Sequence, residues 1–211
     1  MPANLIIMKK ILFSYILLVS LSLGLIVPLS LSAQETAKAT ERLRPALLVI
    51  DVQNQFLPMM DEEGKEFSMY VINAYIDVFR NAGFPIIRIY HSDKNAGPFP
   101  GTPEFEFSEE VKILPTDPQV IKNYGDGFNK TELDQVLKDM KVNTVFLCGL
   151  SSVGCVLATW IGAQNHDFKA FLIKDAMLSH NSDYTDQVET MFDALGYDAV
   201  QVMLDNAEKV K

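Results

Sequence analysis

The chain is poor in the residues that usually announce a small secreted or metal-bound protein. It has two cysteines in 211 residues, Cys148 and Cys155. So few half-cystines over that length do not make a disulfide framework. They do not fall in a C-x-x-C spacing either, which counts against dithiol redox chemistry. There are three histidines, His91, His166 and His180, far apart in sequence. Positive charge is also scarce: 18 Lys and Arg stand against 27 Asp and Glu. An acidic body is a poor partner for nucleic acid or an anionic membrane surface. No internal repeat or low-complexity tract occurs, which leaves an ordinary globular chain.

The first 33 residues read as a secretory leader. A basic "MKK" at Met8 to Lys10 precedes the apolar run "ILFSYILLVSLSLGLIVPLSL" and the small residues of "SAQ". That order of charge, apolar stretch and small-residue exit is a signal peptide. The run over 11–31 is also long enough to span a bilayer, so an uncleaved anchor is the alternative. The leader lacks a lipobox cysteine, and translation can start at Met1 or Met8. Cleavage would remove Lys9 and Lys10, taking the net charge from −9 to −11, and would place the protein in the periplasm or outside the cell. Residues 34–44 are a polar lead-in. Residues 45–211 suit one domain with a full core.

Within that domain, strand and helix patterns alternate. Continuous apolar runs mark strands at 46–51, 85–90, 119–123, 143–149, 169–174 and 198–203. Helical spacing marks 66–83, 131–140, 154–166 and 184–196, the first and last ending on Gly83 and Gly196. Thr131 and Asp134 form a capping pair. The helix over 154–166 is apolar nearly all round, hence buried. The alternation predicts a three-layer α/β/α sandwich around a mostly parallel six-stranded sheet. The Gly-, Pro- and acid-rich stretch over 91–117 is long enough for a functional loop.

Ligands of such sheets bind beyond the carboxyl ends of the strands. Three chemically different residues arrive there. Asp51 ends the first strand, Lys122 the third, and Cys155 follows the fourth in "GLSSVGC". Taken singly they read as a turn cap, a solvated lysine and a small buried hydrophobe. Together they deliver an acid, a base and a thiol to one edge. A thiol at a helix start beside an ammonium is expected to titrate below the free value of about 8.5, with a neighbouring carboxylate opposing. A carboxylate next to a thiol can move its proton, and free backbone N–H groups can hold an oxyanion.

The stretches "ALLVIDVQNQF", "VIKNYGDGFNKTELDQVL", "VFLCGLSSVGCVLATWIGA" and "FLIKDAM" resemble the isochorismatase-like cysteine hydrolases, whose members include nicotinamidases, carbamoylsarcosine amidases and ureidoacrylate amidohydrolases. The resemblance implies Asp51 as proton carrier, Lys122 as electrostatic partner and Cys155 as nucleophile. It implies a cis peptide at Leu150-Ser151, which turns the Ser151 N–H toward an oxyanion hole shared with that of Cys155. It implies a homo-oligomer acting on a small molecule by C–N hydrolysis through an acyl-enzyme, without a cofactor. Ether hydrolysis of the isochorismatase type and nicotinamide hydrolysis are the alternatives. A thiol redox protein or a catalytically silent binding module stands further off.

Metal-dependent nicotinamidases of this type carry an Asp-x-His pair and a second histidine after the second strand. Here "YHSDKNAG" reverses the order of His91 and Asp93 and adds no further histidine nearby, so no metal is expected. Phe56, Tyr90, His91 and Phe128 flank the expected site as candidate pocket walls. Gly154 precedes the nucleophile, where a glycine either leaves the pocket roomier or merely eases the turn. Trp160, five residues on, faces away from the pocket on a helical wheel.

Overall fold

The computed structural model describes residues 41–209. The expected signal peptide and most of the lead-in lie outside them. Among the described residues, no helix is long and apolar enough to cross a membrane.

Five strands form one sheet: β1 (Pro45–Ile50), β2 (Ile86–His91), β3 (Gln119–Lys122), β4 (Thr144–Leu150) and β5 (Lys169–Leu178). Their order is β3-β2-β1-β4-β5, and every pairing is parallel. Among the described residues, five α-helices accompany them: α1 (Lys65–Ala82), α2 (Leu133–Asp139), α3 (Leu157–Asn165), α4 (Ser182–Met191) and α5 (Tyr197–Asp205). β1 reads as an unbroken apolar run because both its faces are covered. Leu47 and Val49 pack on one side with Ile72, Ile76 and Phe79 of α1 and Val200 and Leu204 of α5. Ala46, Leu48 and Ile50 pack on the other with Leu133 and Leu137 of α2, Ala163 of α3 and Val188 of α4. The alternation of β1 side chains thus separates two cores and makes the three layers. Phe79 meets Phe84 and Phe146 edge-on within one of these cores. Truncating such a buried ring to alanine costs about 3–5 kcal/mol.

The sheet has five strands, one fewer than the sequence pattern predicts. Residues 198–203 are helical. The apolar residues there follow a period of four, not two: Val200 and Leu204 are buried while Val202 is 62% exposed. Pairing beyond β5 is confined to a single parallel bridge between Ile173 and Leu195. Two helix starts also differ. Asp134 does not cap α2; it pairs with Lys138 at 2.8 Å and with His166 at 3.3 Å, while Thr131 Oγ1 accepts the Leu133 N–H at 3.3 Å. The helix expected from residue 154 begins as a π-type turn over Ser152–Val156 and becomes regular at Leu157. It is not buried all round, since Ile161 is 47% exposed. Gly83 ends α1 in the left-handed conformation, as its position predicts.

Strand order reverses at β1. The chain winds from β1 through β2 to β3, then returns to place β4 on the other flank of β1. The carboxyl ends of β1 and β4 therefore flank the crevice where ligands enter such sheets.

Candidate active site

Gly149 brings those two strand ends together. It has φ 111°, and a Cβ there would lie 2.2 Å from the Ile50 carbonyl oxygen. No side chain fits so close an approach, and the next turn carries Leu150, Ser151 and Cys155. The Leu150–Ser151 bond is cis. Asp51, immediately beyond β1, also has positive φ, 54°, and its N–H donates to Ile89 O at 2.9 Å. A non-glycine residue in that conformation is uncommon. It holds the Asp51 side chain at the sheet edge, 3% exposed.

Lys122 is fully buried, unlike the solvated lysine its type suggests. Its Nζ donates to Asp51 Oδ2 at 2.7 Å and lies 3.2 Å from His91 Nδ1. An ammonium has only donors, so Nδ1 must accept and His91 carries its proton on Nε2. The sheet register explains the contact: His91 and Lys122 are partners across β2 and β3. One ligating atom from each of Asp51, His91 and Cys155 lies within 4.8 Å of the others.

Gln53, missed as a site residue from sequence, ties these strand ends together. Its amide donates to the His91 and Phe105 carbonyls and accepts the His91 N–H at 2.8 Å. A polar side chain two residues after Asp51 in an otherwise buried stretch was the available signal. The nucleophile turn has a support of its own. Ser152 Oγ lies 3.0 Å from Thr185 Oγ1, which donates to Ser179 Oγ at 3.0 Å, which donates to Asn181 O at 2.5 Å. Because Thr185 spends its proton on Ser179, Ser152 is the donor to Thr185.

A cavity of about 170 Å³ opens onto Asp51, His91, Ser151 and Cys155, with Phe56, Met60 and Leu150 completing its walls. Of the four pocket residues expected from sequence, Phe56 and His91 are in place, in edge contact with ring centroids 5.8 Å apart. Tyr90 and Phe128 are not. Tyr90 stacks on Phe105 and meets Phe107 in one core. Phe128 packs on His166 and Phe168 in the other. Tyr90 alternates with His91 along β2, so the two side chains take opposite faces. No residue from 92–117 lines the cavity; that stretch instead covers a core through Phe105, Phe107 and Val111. Met60 does line it and carries no sequence signal for the role. Trp160 is outside it, its indole N–H bonded to Ala170 O at 3.0 Å.

The electrostatics differ from the sequence expectation at one point. Burial pushes the Cys155 thiol up to about 11, and the Asp51 charge adds to the rise while Lys122 opposes it. A depressed thiol pKa is therefore overturned. The helix proper begins two residues beyond Cys155, and the ammonium is already engaged by Asp51. Burial likewise raises Asp51 against the pull of Lys122. Burial first, then Lys122, holds His91 below its ordinary range, so the ring is neutral near pH 7. Burial thus favours the protonated thiol at Cys155, and the 2.7 Å contact with Lys122 opposes the protonation that burial favours at Asp51. Asp51 Oδ1 is buried and has no hydrogen-bond partner; Ser151 Oγ shares that condition. Cys148 is a free, fully buried thiol, not joined to Cys155.

After β2, Asp93 is turned to a local task and is not in the cluster of Asp51, His91 and Cys155. The Asp93 carboxylate caps its own turn, accepting N–H groups of Asn95 and Ala96 at 2.8 Å. Asp51 and His91 already face the Lys122 ammonium, which would repel a divalent ion placed between them.

Comparison with known proteins agrees with this architecture. The family model described as "Isochorismatase domain" matches residues 45–202. The isochorismatase family protein YddQ of Bacillus subtilis is 28% identical over 68% of this chain and 82% of its own. Nicotinamidase 3 of Arabidopsis thaliana is 29% identical over 65% of this chain and 75% of its own. The solved pyrazinamidase of Pyrococcus horikoshii, in complex with zinc, superposes with a TM-score of 0.63 at 26% identity, covering 73% of this chain and 99% of that one. The family match spans most of the chain, and the chain belongs to the isochorismatase family of hydrolases.

Proposed function

We propose that this hydrolase cleaves the C–N bond of a small amide through a thioester formed on Cys155. The observation that carries the reading is the unpartnered Asp51 Oδ1. Its twin Oδ2 is fixed by Lys122 at 2.7 Å, and the Cys155 thiol belongs to the same close cluster. A buried acceptor without a partner, next to a protonated thiol, is a base waiting for its proton.

As Cys155 Sγ bonds to the substrate carbonyl carbon, its proton passes to Asp51. The N–H groups of Ser151 and Cys155 receive the oxyanion. Asp51 then returns the proton to the departing nitrogen, the C–N bond breaks, and the thioester remains. A water molecule loses its proton to Asp51 as its oxygen adds to the thioester. Collapse expels the sulfur, which takes the proton back, and a carboxylic acid leaves. Lys122 opposes the protonation of Asp51 that burial favours. The neutral His91 accepts from Lys122 and holds the ammonium in line.

The amidase names among the relatives, nicotinamidase and pyrazinamidase, support C–N hydrolysis over ether cleavage. Dithiol redox chemistry lacks a resolving thiol, since Cys148 is sealed in the core. The test is intact-protein mass spectrometry after mixing with small primary amides, with ammonia release followed in parallel. The expected result is a transient acyl mass on Cys155 and no turnover in Cys155→Ala. Turnover above a few per cent in that variant would exclude covalent catalysis.

A further inference from the structure

Among the described residues, few buried side-chain polar atoms lack a partner, and two of them, Asp51 Oδ1 and Ser151 Oγ, belong to residues lining the catalytic cavity. The mechanism above uses the first and leaves the second idle. A buried hydroxyl without a partner costs about 1–3 kcal/mol, so it marks a place where a ligand completes the bond. The surroundings sharpen this. The other walls, Phe56, Met60 and Leu150, offer carbon and sulfur, and His91 is neutral. No arginine lines the cavity, and no lysine does; Lys122 is buried behind Asp51.

We infer that the Ser151 hydroxyl is a specificity-determining donor, and that the substrate is a small uncharged amide with a hydrogen-bond acceptor near the scissile carbonyl. This rests on the catalytic reading above and narrows it. Oγ hangs from the residue whose N–H is assigned to the oxyanion, so its partner must lie close to the reacting carbon. An anionic substrate would meet Asp51 with no cation free to receive it. A large one would not fit about 170 Å³, below the range of about 300–1,000 Å³ for drug-sized ligands. Gly154 borders the hydroxyl on the other side, where a side chain would meet Ser151 in ordinary van der Waals contact. A Cβ there would stand 3.6 Å from Ser151 Cβ and 3.9 Å from Oγ.

The test uses the full chain and three probes: butyramide, its isostere methoxyacetamide, which adds an ether oxygen, and the anion succinamate. Dissociation constants are measured by NMR titration in the Cys155→Ala background, and kcat/KM by ammonia release in the wild type. Methoxyacetamide should bind roughly tenfold more tightly than butyramide, the worth of one neutral hydrogen bond. Adding Ser151→Ala should collapse that ratio to about one, and Ser151→Thr, which keeps the hydroxyl, should retain it. Succinamate should bind at least tenfold more weakly than either. A ratio unchanged by Ser151→Ala, tighter binding of succinamate, or no binding of any probe would overturn the inference. If the binding ratio behaves as stated but the wild type releases no ammonia, the catalytic reading fails and the recognition role of Ser151 stands.

Discussion

The charge state of Cys155 is the most exposed consequence of the site geometry. A thiol that titrates near 11 is ionised in about one molecule in 3,000 at pH 7.5, against about one in ten for a free cysteine of pKa about 8.5. The reagent-accessible thiol should therefore react with iodoacetamide roughly 300-fold more slowly than that fraction allows a free cysteine. The rate should climb about tenfold per pH unit from 7 to 10 without levelling. Peptide mass mapping assigns the label; Cys148 should stay silent, since it is fully buried and burial raises its thiol further. Asp51→Asn removes the like charge and should lower the midpoint, yet leave it above 8.5, because burial is the larger cause. Lys122→Met should move it the other way. Each variant breaks a buried ion pair, which costs about 3–5 kcal/mol, so folding is checked first by circular dichroism. A wild-type rate that plateaus by pH 8 would refute the argument: it would mean that Lys122 outweighs burial and that the enzyme rests as a thiolate.

Two further outcomes test the scaffold. Burial raises Glu189 from its ordinary 4.5 to about 7, while its Oε1 accepts the Asp175 N–H at 2.7 Å. The folded state holds this proton more tightly, so the stability it contributes is full below pH 4.5 and is lost as pH rises to 7. Glu189→Gln, which keeps the acceptor, should match the wild type in urea unfolding at pH 4 and exceed it by up to about 3 kcal/mol at pH 8; equal stability at both values would show that the carboxylate is solvated. Thr185→Val leaves Ser152 without its acceptor, while Ser179 keeps Asn181, and should cost about 1–3 kcal/mol, lowering kcat more than it changes KM, with Thr185→Ser restoring both. Loss of stability with kcat intact would reduce the hydroxyl chain to a structural role.

Much of this protein is legible along the chain. The apolar runs of β1, β2 and β4 reflect burial on both faces, and Gly83 reflects a backbone conformation, all of them local demands. Asp51, Lys122 and Cys155 were found because parallel strands bring their carboxyl ends to one edge, so position in the element order predicts position in space. The sequence pattern failed where short apolar runs fit two periods. "DAVQVM" alternates well enough for a strand, and only the packing of Val200 and Leu204 against α1 and β1 made it a helix. It failed again at Tyr90 and Phe128, whose rings are as apolar as a pocket needs but belong to the two cores. Most of all, the tertiary structure decided the state of the thiol. The helix start and the lysine are visible in sequence and favour thiolate. Desolvation and the pairing of that lysine with Asp51 arise only when residues 71 apart in the chain meet at 2.7 Å in a buried place. Burial is a property of everything packed around a group, and no stretch of chain carries it alone.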